Sequence, residues 1–176
     1  NIKDNNEPYF IDTHAHLDMI RQMTPEIAVK RSVEEGVRYI INVGSSLEGS
    51  RMSSMYSAKF DNVYAAVGIH PHHAGEQEAT DYISLIEELA AANKKIIAIG
   101  ETGLDYFRNL SPKDEQRKMF IGHIELALKQ DLPIIIHDRD AHEDIYNVLK
   151  EYHNEKKFRA VIHCFSGDTD FAIRCL

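Results

Sequence analysis

Residues 12–16 read Asp-Thr-His-Ala-His, and the spacing of the two imidazoles is the first feature of this chain that could do chemistry. They follow Tyr9-Phe10-Ile11, so the run is expected to be a short apolar strand that turns polar at its C-terminal end. Alternate residues of a strand leave the same face, which puts His14 and His16 side by side, with Asp12 behind them and Thr13 and Ala15 on the other face. Paired imidazoles suit a divalent cation. A single His-x-His pair is also what a hydrogen-bonded core pair or a surface coincidence looks like, so its meaning depends on what else reaches the same place.

Three more such residues stand at the ends of apolar runs: Glu101 after Ile96 to Gly100, His137 after Pro133 to Ile136, and His163 after Ala160 to Ile162. Imidazoles with one carboxylate are a donor set for zinc, manganese, nickel or iron. Any one of these residues has an ordinary structural explanation, but their joint occurrence at corresponding strand ends points to metal binding.

The elements that must position them alternate regularly. Thr24-Pro25 reads as a cap and first helical residue, Gly36 as the stop, and Ile27, Val33 and Val37 as an inward stripe. Val37 to Val43 is a β-branched strand closed by Gly44, and Ser45-Ser46 opens a helix running to Met55 and Phe60. Val63 to Ile69 is a third strand ending in His70-Pro71-His72-His73. Asp81 is placed to cap a helix with apolar positions at Ile83, Ile86, Leu89 and Ala90. Ser111-Pro112, with Asp114 completing a capping box, starts a helix that buries Phe120, Ile124, Ala127 and Leu128. Asp140 with Glu143 starts the next, which carries Ile145, Val148, Leu149 and Tyr152, and Asp168 starts the last.

Strand then helix occurs six times, and the strands are continuous apolar runs of the kind buried on both faces in a parallel sheet. A unit takes roughly 29 residues, so eight would make about 235, near the ~250 of a (β/α)8 barrel. The expected fold is therefore α/β, a TIM-type (β/α)8 barrel of which this chain holds about the first six units, with residues 1–176 as a single domain. Leu176 falls inside a helical pattern with no stop signal, and two further units are expected beyond it. A doubly wound sheet competes, but its first strand normally leads into a glycine-rich phosphate loop, and here it ends in His-Ala-His.

Composition narrows the functional class. A formal net charge of −8 excludes a broad basic surface for nucleic acid. No apolar run approaches the ~20 residues of a membrane span, and Asn1 to Glu7 is polar, so a cytoplasmic protein is expected. Only Cys164 and Cys175 occur, which fits a reducing compartment; Cys164, following His163 on a strand, is expected to point away from the site and be buried.

The phrases FIDTHAHLD, GIHPH, IGETGLDYFR, LPIIIHDRDA and HCFSG, in this order from Phe10 to Gly167, resemble the TatD family of metal-dependent deoxyribonucleases, within the amidohydrolase-like barrels. The resemblance implies two divalent ions (magnesium, manganese, zinc or nickel) and hydrolysis of phosphodiester bonds in DNA. It implies that His14, His16 and Glu101 hold one ion and Glu101, His137 and His163 the other, with Glu101 bridging; related barrels that cleave amides and lactones often bridge with a modified lysine instead. It also implies an aspartate after the last barrel strand, which has no counterpart here, since Asp168 and Asp170 lie in the sixth unit. That absence keeps open a noncatalytic role for the chain, and the same ligand set leaves open a barrel hydrolase of esters or amides, such as D-aminoacyl-tRNA.

Further candidates surround this set. His70 and His72 could meet substrate phosphate, whereas His73 reads as surface. The planar fork of Arg139 suits a phosphate oxygen unless Asp138 or Asp140 engages it. Ser166 and Gly167 precede helix N–H groups that could cradle an anion. Asp105 and Tyr106 read as a turn or as a contact to sugar or base, and Asp12 as a partner orienting an imidazole. Glu151 to Lys157 reads as a solvated helix end. DNA is the expected partner; neither a membrane nor an obligate protein partner is expected.

Overall fold

A computed structural model describes residues 8–76, 78–155 and 159–176 of the chain. Its elements are β1 (Phe10–Ala15), α1 (Pro25–Glu34), β2 (Val37–Val43), α2 (Leu47–Lys59), β3 (Val63–Val67), α3 (Ala79–Ala92), β4 (Ile96–Asp105), α4 (Lys113–Gln130), β5 (Ile134–Arg139), α5 (His142–Glu155), β6 (Ala160–Ile162) and α6 (Thr169–Cys175). Short 3-10 turns follow β1 at Leu17–Met19 and β3 at Pro71–His73. Lys156 and Lys157, within the stretch expected as a solvated helix end, lie outside the described residues, as do Asn1 to Glu7.

All six strands are parallel and paired in chain order, β1-β2-β3-β4-β5-β6. Strands about 4.8 Å apart would put β1 and β6 roughly 24 Å apart in a flat sheet. Instead the rings of His14, on β1, and His163, just past β6, stack at 3.5 Å. The sheet is therefore curled into an incomplete TIM-type barrel, with its C-terminal strand ends gathered together.

Local chemistry accounts for the element starts. The Thr24 hydroxyl accepts the Ile27 N–H ahead of Pro25, the Ser46 hydroxyl accepts the Gly49 N–H at 3.1 Å, and the Asp168 carboxylate accepts the Phe171 N–H at 2.8 Å. Gly36, at φ +88, supplies the left-handed residue that turns the chain from α1 into β2.

Apolar burial divides by position. The largest cluster joins β3, β4 and β5 to α3, α4 and α5 through Val67, Ile86, Ile99, Phe120, Ile136 and Ile145. A smaller one joins α1, β2 and α2 through Val29, Ile40 and Tyr56. Val43, Ala66, Ala98 and Ile135, one from each of β2 to β5, pack together as the barrel's interior layer.

Several expectations change. In α1 the buried residues are Ala28 and Val29, while Ile27 and Val33 are 46% and 53% exposed, so the helix is rotated from the stripe read off its large side chains. Asp81 sits in the first turn of α3 rather than at its cap, which is Glu78. Ser111 does not cap α4: its hydroxyl donates to the His72 carbonyl and accepts the Gly75 N–H. The two-face burial expected of every strand fails at the margins, where most of β1 and β6 is exposed for want of a second neighbour. Cys164 is exposed, because β6 stops at Ile162 and Cys164 occupies a left-handed turn at φ 49.

Candidate metal centre

β4 runs to Asp105, so Glu101 lies within the strand and not at its end. Glu101 is buried, and four imidazoles from three other segments approach its two oxygens. On Oε2, His14 Nε2 lies at 3.2 Å and His16 Nε2 at 3.9 Å. On Oε1, His137 Nδ1 lies at 3.1 Å and His70 Nε2 at 4.0 Å.

Two groups have ligand-capable atoms all within 4.8 Å of one another: His14, Glu101 and His163; and His70, Glu101 and His137. The resemblance groups His163 with His137, whereas its ring stacks on that of His14, because the curl brings β6 round to β1. His70, read as a substrate contact, takes the place beside His137, their ring centroids 4.3 Å apart. His16 lies just outside the first group. Its Nδ1 donates to the Val43 carbonyl at 2.8 Å, which leaves the Nε2 lone pair facing Glu101.

The backbone makes room for this convergence. Gly103 has φ +143, and a Cβ there would overlap the His137 carbonyl oxygen, so only glycine lets β4 and β5 approach at this point. Gly68 and Gly44 are held similarly close to their neighbours, and the Ser50 hydroxyl bridges the Gly68 N–H and carbonyl.

Electrostatics follows from burial and pairing. Burial pushes the Glu101 carboxyl up, but hydrogen bonds with His137 and His14 outweigh it and hold the group well below the usual carboxylate range, hence ionised. Burial, reinforced by His137, pushes His70 down to about 3. Burial and His14 lower His163. For His137, burial is outweighed by Glu101 and Asp105, and its pKa rises. An ionised carboxylate ringed by imidazoles is a donor set for a divalent cation, and the observed clustering fits one.

The remaining candidates fall around this centre. His72 Nε2 bonds the Asp105 carboxylate at 2.7 Å. His73 is paired with Glu76. The Arg139 guanidinium lies over the Phe107 ring at 4.9 Å, at the exposed rim. Ser166 is exposed, and the nearest helix start is already capped by Asp168. Asp12 accepts the His14 backbone N–H at 3.0 Å and is exposed, so it does not orient an imidazole: on the outermost strand it reaches its own chain first. The Tyr106 hydroxyl donates to Asp144.

Two residues do more than the sequence reading gives them: Asp105 reads there as a turn or a contact to sugar or base, and His123 is not singled out. Asp105 is 2% exposed and bonds both His72 and His137, which gives it more than a turn's role. His123 lies wholly inside α4's buried face. Its Nδ1 donates to the Met119 carbonyl and its Nε2 accepts the Ile69 N–H at 3.1 Å, next to His70. A polar ring among Phe120, Ile124 and Ala127 was the available signal.

Residues 11–176 match the TatD related DNase family. The chain belongs to that family. Metal-dependent hydrolysis is the family's chemistry as its relatives are named. One relative, the uncharacterized metal-dependent hydrolase YabD of Bacillus subtilis, is 39% identical over 94% of this chain and 64% of its own length. The 3'-5' ssDNA/RNA exonuclease TatD of Shigella flexneri is 31% identical over 84% of this chain and 56% of its own. The crystal structure of the TatD homolog YJJV of Escherichia coli superposes with a TM-score of 0.82 at 28% identity, over 94% of this chain and 63% of that one. The chain thus spans less than two thirds of these relatives.

Proposed function

We propose that residues 1–176 are a single hydrolase domain, whose site holds two divalent cations sharing Glu101 and hydrolyses phosphodiester bonds in DNA. The observation that carries this reading is that each oxygen of one buried, ionised carboxylate faces its own set of imidazoles. His14, His16 and His163 would serve one ion, and His70 and His137 the other. A shared carboxylate suits two cations because its charge offsets their repulsion while each oxygen serves one. Such a pair, when bound, supplies an activated water and neutralises the charge that builds on the phosphate.

The chain's own residues do the rest. Glu101 stays ionised and keeps the two imidazole sets apart by the width of its carboxylate. His16 is locked by the Val43 carbonyl with its lone pair inward. Arg139, at the rim with the exposed Phe107 ring under it, would meet a phosphate oxygen of the bound strand. No described helix is long and apolar enough to cross a membrane. Two exposed, unpaired cysteines suit the cytoplasm as the place of action.

The test is degradation of end-labelled single-stranded DNA by the protein with manganese, magnesium or zinc. Metal-dependent release of nucleotides, abolished by a chelator and by Glu101→Gln, is expected. Hydrolysis of an amide, a lactone or an aminoacyl ester in place of DNA would overturn the assignment.

A further inference from the structure

Asp105 is a carboxylate buried to 2% exposure, and a buried charge is retained only where donors compensate for lost water. Its Oδ1 accepts the Arg108 N–H at 2.8 Å. Its Oδ2 meets two imidazoles, His72 Nε2 at 2.7 Å and His137 Nε2 at 3.1 Å. Gln116, fully buried, clamps the backbone beneath it: its Oε1 accepts the Asp105 N–H at 2.8 Å and its Nε2 donates to the Asp105 carbonyl at 3.2 Å. The carboxylate is therefore fixed at both ends.

An ionised carboxylate only accepts, so both imidazoles must present Nε2–H to it. For His137 this decides which nitrogen is left for the centre: Nδ1, 3.1 Å from Glu101. His16 is set by the same logic with the nitrogens exchanged, its Nδ1–H being taken by a backbone carbonyl. The two rings thus reach one glutamate through opposite nitrogens, each dictated by what lies behind it.

We propose that Asp105 is the positioning residue that makes Nδ1 of His137 the metal-binding nitrogen. The proposal rests on the two-cation reading of Glu101, and it adds a determinant that lies behind the ligands. Its mirror-image test is Asp105→Asn, which keeps Oδ1 for the Arg108 N–H and so preserves the turn, but replaces Oδ2 with an NH2 group. That group donates to His137 Nε2, moves the ring proton to Nδ1 and sets it between the ring and Glu101.

Zinc titration of the chain against a chromophoric chelator should show binding weakened about 10- to 100-fold in Asp105→Asn, with Asp105→Glu, which restores an acceptor, recovering part of the loss. Long-range 1H–15N spectra of the zinc-loaded, unsubstituted protein should show His137 metallated at Nδ1 and protonated at Nε2; this readout needs no variant to fold. Unchanged zinc affinity in a folded Asp105→Asn, or metallation of His137 at Nε2, would overturn the proposal. Neither measurement involves DNA, so a protein that binds zinc as described but spares DNA would sink only the nuclease reading. Failure of the unsubstituted chain to bind any of zinc, manganese and magnesium would sink both.

Discussion

The two halves of the candidate centre are built on different foundations. His70 follows β3, and Glu101 and His137 lie in β4 and β5, strands paired on both sides and covered by the largest apolar cluster; the two histidines have support beside them, Ser50 and His123 next to His70, Asp105 and Gln116 next to His137. His14 and His163 belong to the margins of the sheet, where β1 and β6 each have one strand neighbour and present exposed apolar side chains such as Phe10, Ile11 and Val161. The central half is pre-organised by packing before any ligand arrives. The marginal half depends on one ladder apiece and on the stacking of its two rings.

Substitutions can break or sharpen that contrast. The largest effect is expected from Phe120→Ala, which hollows the central cluster and should cost about 3 to 5 kcal/mol in urea unfolding. Next is the pH response of His123, which burial holds down to about 4, against about 6.5 for a free imidazole. The unfolded chain takes up this proton first as pH falls, so the contribution is complete above pH 6.5 and is lost between 6.5 and 4, on the order of 3 kcal/mol. His123→Gln should flatten unfolding free energy across that window; an unchanged slope would show that the central support is not built as described.

Glu101→Gln should then weaken zinc binding by more than about 100-fold at both groups, read by the same chelator competition. Loss of only one ion's worth of binding would mean that the halves do not share the carboxylate. The smallest effect is expected at the margin: Phe10, 71% exposed, should be replaceable by alanine for less than about 1 kcal/mol. A cost equal to that of Phe120→Ala would erase the contrast.

Much of this was readable in the chain itself, for identifiable reasons. The His-x-His strand, the β-branched runs and the Thr24, Ser46 and Asp168 starts are local signals, and local hydrogen bonding realises them. What could not be read was which ligand joins which. His163 moved to His14 and His70 to His137 because curl, a property of the whole sheet, decides which strand ends meet. The stripe in α1 misled for a related reason: Ile27 and Val33 predict a buried face only if something packs there, and the small Ala28 sets the contact instead. Asp105 and His123 were hidden because a carboxylate in a turn and a histidine in a helix look ordinary until their partners, distant in sequence, are in place.

The stacked rings of His14 and His163 join the beginning of the described chain to its last strand. A cation gripped there and by Glu101 would act as a clasp on most of the described chain, closing a loop that costs little extra entropy for its length once formed. Occupancy would then be felt as mechanical integrity as well as reactivity, with heat or denaturant prying first at the seam where those two histidines meet.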